Sequence, residues 1–164
     1  MVLKDKKVTV VGLGKSGFAA AKFLLSKKAR VRVTDGSEKK EVLGSASYLR
    51  ALGIEVETGK HTEAFIDGAD LVVTSPGVSK ESLPLLRARK KHIPVISEIE
   101  LAAAFCPGRI VAVTGSNGKT TTSYILTGIL GEQFGREKVG MLTTVAFRVG
   151  GNEEVNDTKM TTLP

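Results

Sequence analysis

Two glycine-rich loops carry the chemistry that this 164-residue chain offers. The first is Gly12-Leu13-Gly14-Lys15-Ser16-Gly17, a G-x-G-x-x-G run between a β-branched stretch and a helical pattern. In such a loop the first glycine permits a tight turn. The second lets backbone N–H groups approach a diphosphate, and the third lets the helix pack close to the sheet. The helix N-terminus adds a favourable dipole for the anion. Asp35 follows at the end of the next β-like run, where a carboxylate meets a ribose hydroxyl. NAD, FAD and a UDP-linked sugar can all present a diphosphate to this loop, so the motif leaves the nucleotide open.

The second loop is Thr114-Gly115-Ser116-Asn117-Gly118-Lys119-Thr120. Gly118-Lys119-Thr120 is the end of a phosphate-binding P-loop, and its chemistry is that of ATP. Backbone N–H groups would cradle phosphates, the Lys119 ammonium would neutralise them, and the Thr120 hydroxyl would ligate Mg²⁺. The longer form of the motif has glycine at the position of Val113, so the match is to a shorter loop starting at Gly115. Thr121 and Thr122 extend the polar helix start. A dehydrogenase explains the first loop and not the second; an ordinary P-loop ATPase explains the second and not the first.

The elements that must hold these loops alternate strand and helix, which predicts an α/β fold with a mainly parallel sheet. Strands are expected at 7–11, 30–34, 54–58, 70–74 and 94–96. Helices are expected at 18–28, 40–52, 83–91 and 98–105. Pro107-Gly108 marks a boundary. It separates a Rossmann-like domain of residues 1–107 from residues 108–164, the beginning of a P-loop α/β domain. There the pattern predicts strands at 109–113 and 138–143, a helix at 119–130, and a hairpin of 146–149 with 153–155. So few elements cannot cover both faces of a parallel sheet, so this second domain is expected to be incomplete and the chain inactive by itself.

Composition bounds the partners. Hydrophobic residues make up 41% and charged residues 25%, a soluble globular balance. No apolar run approaches the roughly 18–20 residues that cross a bilayer. The N-terminus lacks a signal-peptide pattern, so the expectation is a cytoplasmic protein without a membrane partner. One cysteine, Cys106, excludes an internal disulfide framework and reads as an inert thiol. The net charge of +7 comes from dispersed Lys and Arg, with no aromatics interleaved among them. Nucleic acid is therefore not an expected partner. His61 and His92 read as surface or helix-end residues, and Glu98 and Glu100 as an acidic first helical turn.

Taken together, the motifs resemble the Mur ligases, which build the peptide stem of peptidoglycan. The loop from Thr114 to Thr122 is similar to that family's ATP loop. Residues 1–107 look most like its D-glutamate-adding branch, through the first glycine loop, Thr74-Ser75-Pro76-Gly77-Val78, and Ser97-Glu98-Ile99-Glu100-Leu101. Lys138–Val145 and Lys159-Met160-Thr161-Thr162 look more like the branch that adds a diamino acid. The resemblance implies a cytoplasmic, monomeric ATP- and Mg²⁺-dependent ligase. It would join an amino acid, D-glutamate favoured, to a UDP-N-acetylmuramoyl-L-alanine substrate through an acyl phosphate. It further implies UDP-substrate contacts at Gly14, Lys15, Ser16, Gly17, Asp35, Gly36, Ser75, Pro76, Gly77, Thr161 and Thr162. ATP contacts would come from Gly115, Ser116, Asn117, Gly118, Lys119, Thr120 and Thr121. Lys119 and Thr120 would be catalytic, with Thr120 on the Mg²⁺. The other metal ligands and the amino-acid site would lie beyond Pro164. The competing readings are a non-catalytic Rossmann module for a nucleotide or UDP-sugar, a diamino-acid-adding Mur ligase, and a folate polyglutamate ligase.

Overall fold

The computed structural model describes residues 1–149 and 152–155, and its chain divides into two compact units at Gly108/Arg109. The first unit is a parallel sheet of β1 (Lys7–Val11), β2 (Arg30–Asp35), β3 (Glu55–Thr58), β4 (Leu71–Thr74) and β5 (Val95–Ser97). Its strand order is β3-β2-β1-β4-β5, with every pair parallel. Successive strands step outward from β1 to β3, and the chain then crosses back to the other side of β1. The order therefore reverses between β1 and β4, and a crevice forms beyond their carboxyl ends, where open α/β sheets take ligands.

The helices are α1 (Lys15–Ser26), α2 (Lys40–Ala51), a single turn α3 (Glu63–Ile66), α4 (Leu83–Lys90) and α5 (Glu98–Phe105). Strand side chains alternate between the two faces of the sheet. Val8, Val10, Val31, Val33, Leu71 and Val73 face one way, against Ala21 and Leu24 of α1, Leu49 of α2 and Leu101 of α5. Val11 and Val72 face the other way, against Ile66 of α3 and Leu85 and Ala88 of α4. On that second face, toward β2 and β3, the residues in alternation are Arg32, Thr34, Glu55 and Glu57. The sequence pattern did not predict α3, which is too short to show a helical period.

An ionic clamp joins α3 to α4. The Arg87 guanidinium holds Asp67 at 3.1 and 3.0 Å and also pairs with Glu63, while Lys91 reaches Asp67 at 3.1 Å. The hydrogen bonds from Arg87, then Lys91, hold the Asp67 carboxyl at about 2, below its ordinary value near 3.8. A carboxyl with a lowered folded-state pKa stabilises the fold above its unfolded value and loses that contribution as pH falls through the folded one. The acid limb of unfolding between about pH 4 and 2 should therefore be steeper in the parent chain than in Asp67→Asn. Thermal melts of both across that window test this; identical limbs would remove the clamp from the account. The effect should be modest, because both partners remain partly open to solvent.

The second unit contains α6 (Lys119–Phe134), a 3₁₀ turn at Arg136–Lys138, and an antiparallel sheet of β6 (Met141–Leu142), β7 (Ala146–Val149) and β8 (Asn152–Val155). The expected hairpin is present. Helix α6 runs four residues past its expected end and stops at Gly135. Two expected strands are corrected. Residues 109–113 are not a strand, because no described strand pairs with them and a ladder needs a neighbour. The strand expected over 138–143 shortens to Met141–Leu142, since the 3₁₀ turn takes its start.

Candidate functional site

Strands β1 to β4 of the first sheet each deliver a loop to the carboxyl edge, whereas β5 runs straight into α5. After β1 the chain turns at Gly12, whose φ of +97° is left-handed and whose amide donates to the Thr34 carbonyl at 2.9 Å. Gly17 sits directly on this turn. A Cβ there would lie 2.0 Å from the Gly12 carbonyl oxygen, so only glycine lets α1 approach the end of β1 this closely. Gly14 caps α1, and no protein atom lies within 4 Å of where its Cβ would be. The first-turn amides of Lys15 and Ser16 have no acceptor among the described residues, and α1 has no acidic residue in its first turn. Free amides, a helix N-terminus and an open glycine together suit an anion.

Asp35, at the end of β2, does more than wait for a ribose. Its Oδ2 accepts the Leu13 amide of the glycine loop at 2.5 Å, and its Oδ1 accepts the Ser37 amide at 2.7 Å. The carboxylate thus braces the β1 loop against the β2 loop. Each oxygen keeps a second lone pair for a ligand. Ser75 follows β4; it is buried, its amide donates to Val11, and its hydroxyl lies 3.4 Å from the Gly12 carbonyl. Pro76 and Gly77 are exposed beside it. Gly14, Lys15, Ser16, Gly17, Asp35, Gly36, Ser75, Pro76 and Gly77 therefore share one edge, around the reversal between β1 and β4. Thr161 and Thr162 lie outside the described residues.

The sequence reading missed a group beside them. His61, in the loop after β3, has Nδ1 2.8 Å from the hydroxyl of Thr34, which is wholly buried. That hydroxyl lies 2.9 Å from Glu57 Oε1, which also accepts the Thr62 amide at 2.8 Å. Burial pushes the Glu57 carboxyl up, but hydrogen bonds from Thr62 and Thr34 and the charge of Lys60 outweigh it and hold its pKa low. Parallel pairing sets Thr34 opposite Glu57, 23 positions away in sequence. No motif spacing signals such a pair. Glu100, by contrast, takes the expected first-turn place: it forms a reciprocal capping box with Ser97 at the start of α5. A cavity of about 290 Å³ opens beside His61, between α3 and α4, with Ile66, Leu83 and Arg87 among its other walls.

The second unit carries the other loop. Gly118 caps α6 in the left-handed conformation, at φ +75°, and Thr122 N–H donates to its carbonyl at 2.9 Å. The amides of Lys119, Thr120 and Thr121 are left without acceptors among the described residues. Lys119 folds back so that its ammonium donates to the Gly115 carbonyl. Free amides at a helix start suit an anion, and the lysine rests on the loop's own carbonyls. The Thr120 hydroxyl, in the first turn, has no partner among the described residues.

The model of the Mur ligase MurD-like N-terminal domain matches residues 6–97, which is more than half of the chain. The chain belongs to the Mur ligase family. A UDP-N-acetylmuramoylalanine–D-glutamate ligase from Koribacter versatilis is 49% identical over 130 residues, covering 79% of this chain and 29% of that protein. The enzyme of the same name from Geotalea daltonii is 44% identical over 150 residues, 92% of this chain and 32% of its own length. This Mur ligase chain thus spans under a third of the curated relatives it matches. Among solved structures, a pseudomurein peptide ligase type C from Methanothermus fervidus aligns with a TM-score of 0.53 at 27% identity, over 79% of this chain and 27% of that one. No helix among the described residues is long and apolar enough to cross a membrane.

Proposed function

We propose that this chain is the UDP-substrate-binding part of a ligase that adds D-glutamate to a UDP-N-acetylmuramoyl-L-alanine precursor of peptidoglycan, together with the start of its ATP site. The observation that carries this is the pairing of two phosphate-type loops in one chain, within a stretch 44% identical to a D-glutamate ligase. A match of 150 residues in a chain of 164 runs past residue 138, so it includes part of the stretch that resembles the diamino-acid branch. This favours D-glutamate over a diamino acid.

The first unit holds the diphosphate at Gly14, Lys15, Ser16 and Gly17. Asp35, Gly36, Ser75, Pro76 and Gly77 border the nucleoside and sugar. In the second loop the residues fit ATP with Mg²⁺. The left-handed Gly118 opens a helix start with free amides, Lys119 supplies a positive charge, and the Thr120 hydroxyl is available to the cation. ATP, when bound, supplies the phosphoryl group that activates a substrate carboxylate for attack by an amine. Within this chain the task is electrostatic: Lys119 and the amides of Gly118, Lys119, Thr120 and Thr121 offset the negative charge that gathers when two polyanions meet. Asn117 and Gly118 shape the loop.

Calorimetry separates the ligands. The chain should bind UDP-N-acetylmuramoyl-L-alanine and bind NAD at least about tenfold more weakly, a gap of roughly 1.4 kcal/mol. Tighter binding of NAD would turn the first loop into a dinucleotide site and overturn the reading.

A further inference from the structure

His61 sits at the carboxyl edge as the outer member of a three-residue relay, and the relay determines which face of the imidazole is offered. Glu57 carries a carboxylate that can only accept hydrogen bonds. With Glu57 Oε1 2.9 Å from the Thr34 oxygen, the threonine proton must lie between them. The charge of the acceptor makes this the strong bond of the set, preferred over the Lys60 carbonyl at 3.3 Å. The Thr34 oxygen can then only accept from the ring nitrogen 2.8 Å away. In the neutral ring His61 therefore carries its proton on Nδ1, and Nε2 keeps its lone pair.

Nε2 has no hydrogen-bond partner among the described residues. It lies 3.1 Å from where a Cβ would stand on Gly36, so the ring rests in the space that glycine leaves. Gly36 is exposed and directly follows Asp35, the brace of the first glycine loop. A lone pair is thus fixed at the open edge of the nucleotide site by two side chains, Thr34 and Glu57, that are themselves buried.

We propose that His61 reads the nucleoside: Thr34 and Glu57 lock its ring in the Nδ1–H form, and Nε2 accepts a hydrogen bond from a neutral donor of the uridine. That donor is a ribose hydroxyl or the uracil imide N–H. The inference rests on the UDP reading above.

Two measurements test it and fail separately. The first is nitrogen NMR of the 164-residue chain, whose only histidines are His61 and His92, at a pH where the ring is neutral. The expected signal for His61 is the Nδ1–H form. Thr34→Val, which removes the acceptor of that proton, should move it toward Nε2–H. An Nε2–H signal in the parent chain overturns the relay. The second is calorimetry with UDP, 2′,3′-dideoxy-UDP and N3-methyl-UDP. His61→Phe should bind UDP about tenfold more weakly, as the loss of one hydrogen bond implies. Thr34→Val should follow it in direction, although Thr34 is buried and touches no ligand. One of the two analogues should lose about tenfold on the parent chain and nothing further on His61→Phe, which names the donor. If both analogues lose the same factors on both proteins, His61 is not a reader. If UDP fails to bind the parent chain while the Nδ1–H signal persists, the ligand assignment falls and the relay stands.

Discussion

Gly17→Ala should cost the first unit a large part of its stability, about 3 kcal/mol or more, and with it the nucleotide site. The reason is the partner of the added methyl group. Its carbon would stand 2.0 Å from the Gly12 carbonyl oxygen, 2.9 Å from the Gly12 carbonyl carbon and 2.9 Å from Ser75 Oγ. The first two are backbone atoms, so no rotamer change relieves the clash. Helix α1 must slide away from the end of β1, which opens the contact that buries Ala20, Ala21 and Leu24. It also moves the free amides of Lys15 and Ser16 off the crevice. Gly44→Ala in α2 is the control. It is exposed, no atom lies within 4 Å of the added carbon, and alanine is the better helix former. It should stabilise by up to about 1 kcal/mol. Urea unfolding of the two variants beside the parent chain decides the matter. A Gly17→Ala midpoint close to the parent's would show that α1 can shift freely, and would withdraw the close-approach role of the third glycine.

The second large effect concerns the other loop. Lys119→Ala should lower ATP-dependent phosphate release by at least about a hundredfold in a ligase that contains this chain, the scale of losing one preorganised electrostatic group. The same change should leave the melting of the chain unaltered. Lys119 is exposed, and among the described residues its ammonium bonds only to the Gly115 and Ser116 carbonyls of its own loop. Turnover at the parent rate in that variant would remove Lys119 from the phosphate site. A fall in melting temperature alongside lost turnover would show that the lysine shapes the loop and would weaken the electrostatic account.

The two loops were legible because they are written in contiguous residues. A glycine every second or third position between a β-branched run and a helical period has few other uses, and Gly118-Lys119-Thr120 fits a phosphate cradle within three residues. The parallel α/β class was legible for a similar reason: strand and helix periods alternate along the chain. What the sequence obscured were features that depend on a neighbour. Residues 109–113 have the composition of a strand, yet extended residues become one only beside a partner. The turn of α3 is too short to show a period. His61 looked like a surface residue because its partners, Thr34 and Glu57, lie 27 and 4 positions away on two different strands.

By itself the sequence determined the α/β class and the family, and it marked the two glycine loops, because each resides in local spacing that survives without coordinates. Only the tertiary structure decided how those loops are held. It set Gly17 against the Gly12 carbonyl, turned Asp35 into a brace between two loops, and brought His61, Thr34 and Glu57 into one hydrogen-bonded line. The physical reason is register. Parallel strands align residues more than twenty positions apart, and the direction of a proton along such a line follows from which buried groups face one another.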